Sequence, residues 1–163
     1  MTARRPKRPS VVEHRGNRWL DCAGATDEAI SGLEPALGRK VPKPLCELLR
    51  ACAGGRPERP FYCSAKHDIE VAIGRVLLVG PTRSRQQTVL GAFETLVRDS
   101  EQKGTSAADL LPFAVDNGNA HYLCLDGRGR VVYRILHEPA PDERRIVADS
   151  LDAFLEGLEE PPF

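Results

Sequence analysis

The chain has 163 residues, equal numbers of basic and acidic side chains, 41% hydrophobic residues and only 6% aromatics. That length fits one domain able to hide roughly 70% of the surface its unfolded form exposes, so a core forms without disulfide staples. No stretch approaches the roughly 18 apolar residues of a membrane span, and no apolar segment follows the basic start as it would in a secretion signal, which makes the cytoplasm the expected location.

The even balance hides an asymmetry. Arg4, Arg5, Lys7 and Arg8 lie in the first ten residues with Pro6, Pro9 and no acid, which leaves 19 of the 23 basic side chains in residues 11–163 against all 23 acidic ones. A short basic start without apolar periodicity buries too little surface to order itself. Residues 1–18 therefore read as a flexible basic tail and residues 19–163 as one α+β domain. Nothing downstream continues the basic stripe, which argues against nucleic-acid binding. Trp19 is large enough to anchor an interface, yet a domain's one tryptophan is more often packed inside.

Thr26-Asp27-Glu28 offers a helix cap with acids in the first turn, and Ile30, Leu33 and Leu37 follow at helical spacing before Gly38. Pro35 within that run predicts a kink or a late start. Pro42 or Pro44 suits the first turn of a second helix, in which Leu45, Leu48, Leu49 and Cys52 make one apolar stripe closed by Gly54-Gly55. Phe61-Tyr62-Cys63 reads as a short strand. Ile69, Val71 and Ile73 alternate with Asp68, Glu70 and Ala72, a strand with one wet face. Gly74 interrupts, and Val76 to Val79 reads as a separate, covered strand.

Ser84 and Gln87 could form a capping box ahead of a helix carrying Val89, Leu90, Phe93, Leu96 and Val97. From Leu110 to His137 the pattern is antiparallel: Leu111 to Val115, a turn at Asp116-Asn117-Gly118, His121 to Leu125, a hairpin turn at Asp126-Gly127-Arg128-Gly129, and Val131 to His137. A last helix is capped at Asp149-Ser150, with Leu151, Phe154, Leu155 and Leu158 on one face. Helices at both ends of a mainly antiparallel sheet define an α+β class.

The chemistry-bearing patterns are mostly missing. No phosphate-cradling glycine loop and no G-x-S-x-G elbow occurs, so no cofactor is expected. Zinc spacings are absent, and His121 and Cys124, three apart on a strand, would point to opposite faces; no metal is expected. Cys22, Cys46, Cys52, Cys63 and Cys124 are odd in number and irregularly spaced, and read as small buried hydrophobes. A hydrolase pairing Cys63 or Cys22 with His121 or His137 would need a thiol beside a base.

The order of these pieces resembles a known family. "VPKPLCELLRACAGG" resembles the early motif of the SUKH superfamily, which includes bacterial immunity proteins and fungal cell-wall assembly regulators. "LLPFAVDNGNAHYLCLDGRGRVVYRILHE" followed by "IVADSLDAFLEGL" resembles its later half. The resemblance implies an antiparallel sheet flanked by helices, no catalytic residues, and a role in neutralising a polymorphic or contact-dependent toxin by binding it. Two departures are Asn119-Ala120, where glycine is often seen, and Pro35. The alternatives are an intracellular scaffold or regulatory adaptor on the same fold and the cysteine-dependent hydrolase. Candidate partner contacts lie at the turns and polar edges of the sheet: Asp116, Asn117, Asp126, His137 and Glu138, of which the first three also have an ordinary turn-forming explanation.

Overall fold

A computed structural model describes residues 10–80, 87–136, 138–139 and 143–162. Its main body is a six-stranded antiparallel sheet in sequential order: β4 (Phe61–Ser64), β5 (Ile69–Val76), β6 (Leu111–Asp116), β7 (Tyr122–Leu125), β8 (Val131–Arg134) and β9 (Arg144–Ala148). A smaller sheet joins β1 (Ser10–His14), β2 (Asn17–Cys22) and β3 (Arg56–Pro57). The helices are α1 (Asp27–Ser31), α2 (Glu34–Leu37), α3 (Lys43–Cys52), α4 (Val89–Gln102) and α5 (Leu151–Glu156). The protein is thus α+β, with helices against a mainly antiparallel sheet.

Order begins earlier than the expected boundary at Trp19. Ser10–His14 pairs with β2, so residues 10–18 belong to a hairpin rather than to the tail; residues 1–9 lie outside the described part. The hairpin escapes notice because its apolar content is low. It is held instead by its turn, where Arg15 and Gly16 both adopt left-handed backbone, φ 51 and φ 78. That conformation costs a non-glycine residue about 1–2 kcal/mol. The Arg15 guanidinium offsets the cost by reaching Glu47 of α3 at 3.3 Å and Asp152 and Glu156 of α5 at 3.0 and 3.5 Å. Trp19 is fully buried, its Nε1 donating to the His14 carbonyl at 3.2 Å, so it serves the core and presents no interface anchor.

Pro35 acts by splitting the first helix. Thr26 caps α1 by accepting from the Ala29 N–H, the chain breaks at Gly32, and Pro35 falls in the first turn of α2, where its missing N–H has no partner to lose. Gly38 then ends α2 in the left-handed region, φ 70. The α3 stripe of Leu45, Leu48, Leu49 and Cys52 is entirely buried. Phe154 of α5 meets Phe113 edge-on at 6.2 Å between ring centres and Tyr62 at 5.0 Å.

Three local expectations are corrected. Strand β5 runs through Gly74 with a bulge and ends at Val76, so no separate strand occupies Val76 to Val79. Glycine is needed there because a Cβ would sit 2.3 Å from the Asp116 carbonyl oxygen. Helix α4 is capped by Thr88, whose Oγ1 accepts from the Gly91 N–H at 3.0 Å; Ser84 lies outside the described residues. Strand β9, unannounced by its arginine-rich sequence, completes the sheet beside β8.

The sheet curls. Asp149, just past β9, receives Lys66 Nζ at 2.6 Å and His67 Nε2 at 3.2 Å from the β4–β5 turn, which draws one sheet edge toward the other.

Candidate partner-binding face

The β6–β7 turn is built around one carboxylate. Asp116 Oδ1 accepts from the Ala120 and His121 N–H groups at 2.9 and 3.2 Å, and Oδ2 accepts from the Tyr133 hydroxyl at 2.6 Å. The Asn119 N–H donates to the Asp116 carbonyl at 3.0 Å, and Asn119 takes φ 55, a left-handed conformation that asparagine tolerates better than most residues. The departure from glycine at Asn119-Ala120 is thereby accommodated: Asn119 supplies the turn, and Ala120 supplies an N–H. Burial and the Asp116 carboxylate push the Tyr133 phenol well above its usual range, which keeps it a donor.

Asp126 repeats the device at the next hairpin. Its Oδ1 accepts from the Arg128 and Arg130 N–H groups, both at 2.9 Å, and its Oδ2 from Arg130 Nε at 2.7 Å. Burial alone would raise this carboxyl, but the Arg130 and Arg128 hydrogen bonds hold it below the usual carboxylate range. Asp116 and Asp126 are both buried. Their carboxylates are engaged inside the fold, where they hold the turns that the neighbouring residues present. Asn117, with its N–H given to the Ala72 carbonyl at 2.9 Å, keeps an exposed side chain, as does Glu138. His137 lies outside the described residues.

One depression borders this turn and a second lies between the outer strand pairs of the sheet. A cleft of ≈ 260 Å³ runs between it and the β5 bulge, lined by Arg75, Gln87, Asn117 and Asn119 among others. A larger groove of ≈ 440 Å³ lies between the β4–β5 hairpin and the β8–β9 pair. Its walls are Cys63, Asp68 and Glu70 on one side and Tyr133, Ile135 and Arg145 on the other.

The groove has an open main-chain edge. Phe61 of β4 exchanges both backbone hydrogen bonds with Glu159, and the Ile73 N–H donates back to Pro60. Phe61 and Cys63 therefore face outward from β5, and by the alternation of an antiparallel ladder Ile69, Val71 and Ile73 face β4 while Glu70 and Ala72 face away. The Ala72 carbonyl accepts from Asn117. Beyond that bond the β6–β7 turn has ended, and the Glu70 N–H and C=O have no backbone partner among the described residues.

The cysteines divide by place. Burial pushes the thiols of Cys22, Cys46, Cys52 and Cys124 up. Cys63 is exposed, against the expectation of a buried hydrophobe, because it stands on the wet face of an edge strand. Its Sγ makes one long contact to Glu70 Oε1 at 3.9 Å. His121 Nδ1 accepts from the Leu136 N–H at 3.1 Å and its ring stands edge-on to Tyr133, a positioning role within the sheet. Among the described residues no three His, Cys, Asp or Glu side chains converge where they could hold a metal ion, and no described helix is long and apolar enough to cross a membrane.

Sequence reasoning missed the groove, since Glu70, Tyr133 and Arg145 come from three separated strands. The one available signal was the alternation that left Asp68 and Glu70 on a wet face.

An antiparallel sheet with helices packed on it, aspartate-held turns and a polar groove between its outer strand pairs describe an α+β scaffold. A family model agrees with that class: the SMI1 / KNR4 family (SUKH-1) matches residues 24–157. The chain belongs to that family, and hence to the SUKH superfamily. No curated protein matches it.

Proposed function

We propose that this protein is an immunity protein, which neutralises a cognate bacterial toxin of the polymorphic or contact-dependent kind by binding it directly in the cytoplasm. Membership of a family of immunity proteins and cell-wall regulators supports the reading. The observation that carries it is the construction of the β6–β7 turn. Asn117 to Ala120 are exposed, yet their backbone is fixed from within by the Asp116 carboxylate. Loops already held in one conformation lose little freedom on association, which favours tight binding of a protein partner. Asn117 and Glu138 are the exposed side chains assigned to contact, and a mildly acidic body suits a basic partner, because opposite charge speeds encounter.

In this reading inhibition needs no metal, nucleotide or covalent step. It titrates at a fixed stoichiometry, persists in chelator, and persists when all five cysteines are replaced by Ser or Ala in a chain that still folds. The test is co-expression with the toxin domain encoded beside its gene, scored by growth and by isolation of the complex. Protection with a complex is the expected result. Neither protection nor complex would overturn the immunity reading and leave the adaptor reading in its place.

A further inference from the structure

We propose that the groove between the β4–β5 hairpin and the β8–β9 pair receives an extended, lysine- or arginine-bearing segment of the protein partner, added as a strand beside Glu70. The inference rests on the reading that this protein works by binding another protein, and it names where and by what chemistry.

Three observations converge. The first is the main chain. Glu70 turns its N–H and C=O away from β4 into a place where β6 has already ended. An unpaired strand edge is a template for another chain, and strand addition draws affinity from such main-chain groups and specificity from pockets for alternate side chains. The second is space. The groove, at ≈ 440 Å³, is lined by side chains of both hairpins, so an added strand would lie between Glu70 and Arg145, with every second side chain over Tyr133 and Ile135. The third is charge. Asp68 and Glu70 stand on one wall and Arg145 on the other, so carboxylates outnumber cations and a cationic side chain is favoured near Glu70. The Tyr133 hydroxyl is committed to Asp116, leaving its ring as floor rather than as a donor.

The edge is also partly guarded, which limits its occupant. Glu159 covers Phe61 on the outer side of β4, and Pro161-Pro162 follow; proline cannot extend a ladder. The added strand is therefore expected on the Glu70 side and not along β4.

The experiment uses the full chain and a short fluorescent peptide alternating lysine and valine. The expected result has three parts: saturable binding by anisotropy that weakens with salt, slower hydrogen exchange at the Glu70 amide, and slower alkylation of Cys63 with Cys46 unchanged. N-methylation of alternate peptide bonds should abolish binding. Glu70→Lys should weaken it at least about tenfold, since like charges then meet, and Arg145→Glu should strengthen it, a gain that misfolding cannot mimic. No saturable binding, or binding that leaves both the Glu70 amide and Cys63 unprotected, overturns the proposal. The toxin assay separates it from the broader reading. Wild-type protection that Glu70→Lys keeps in full removes the groove and leaves immunity standing, whereas wild-type failure to protect removes immunity and leaves the peptide footprint to decide the groove.

Discussion

The helix-packed strands of the six-stranded sheet and the groove between its β4–β5 and β8–β9 pairs solve the same problem differently. On the helix side large groups are matched: Phe113 with Phe154, and the buried Arg134 with Asp99 at 2.8 Å and with Ser100 Oγ at 3.1 Å, while Lys103 reaches the same Asp99 oxygen at 2.8 Å. At the groove the strands keep Glu70, Arg145 and Cys63 in solvent and leave main-chain groups of Glu70 without a backbone partner among the described residues. The difference shows where stability and recognition separate. Substitutions on one side should act on folding, and those on the other on binding.

The sharpest break of that division comes from the helix side. Leu48→Ala or Leu155→Ala, at positions buried in one core, should destabilise by about 2–5 kcal/mol in denaturant unfolding. Asp99→Ala should cost about 3–5 kcal/mol, because it leaves the buried Arg134, and the half-buried Lys103 beside it, without their carboxylate. The same carboxyl gives a pH signature. Burial pushes it up, but hydrogen bonds from Lys103 and Arg134 hold it below the usual range. A depressed carboxyl contributes stability that is present above the unfolded value of about 3.9 and is lost as pH falls through the folded one. Acid unfolding of Asp99→Asn should therefore show a shallower dependence below about pH 4.

A smaller effect belongs to the N-terminal hairpin. Burial, then the Arg15 charge, lowers the His14 pKa, against smaller opposing contributions from Glu47 and Asp152. A histidine lowered on folding favours the native state above its unfolded value of about 6.5, and that contribution fades as pH drops toward the folded value. Melting temperature should fall between about pH 7 and about pH 5.5, and His14→Gln should flatten that part of the curve. The smallest effects belong to the exposed turns. Asn117→Arg and Glu138→Lys should change stability by no more than about 0.5 kcal/mol while weakening capture of the toxin. Reversing Asp116 or Asp126 should instead unfold the turns, so neither can report on surface charge.

Much of this contrast was legible in the sequence, because the helix side follows periodicity. Leu45, Leu48, Leu49 and Cys52, and Leu151, Phe154 and Leu155, announce their burial by spacing alone. The turns at Asp116 and Asp126 were legible as turns, but not as buried anchors, since a carboxylate's accepted hydrogen bonds depend on how the next four residues fold back. Strand β1 was lost to the basic segment before it, and β9 to its arginines, one of which, Arg144, finds Asp109 at 2.7 Å from across the fold. The groove was illegible for a stronger reason: it exists only once β5 curls toward β8 and β9.

The most direct measurement is hydrogen exchange at two adjacent amides in the free protein. Val71 faces β4 and should be protected to nearly the global stability of the fold, whereas Glu70 faces the groove and should exchange close to the rate of an unstructured amide. Equal, strong protection at both would mean that the edge is already closed, and the division between a folding side and a binding side would fail at the point where it is drawn.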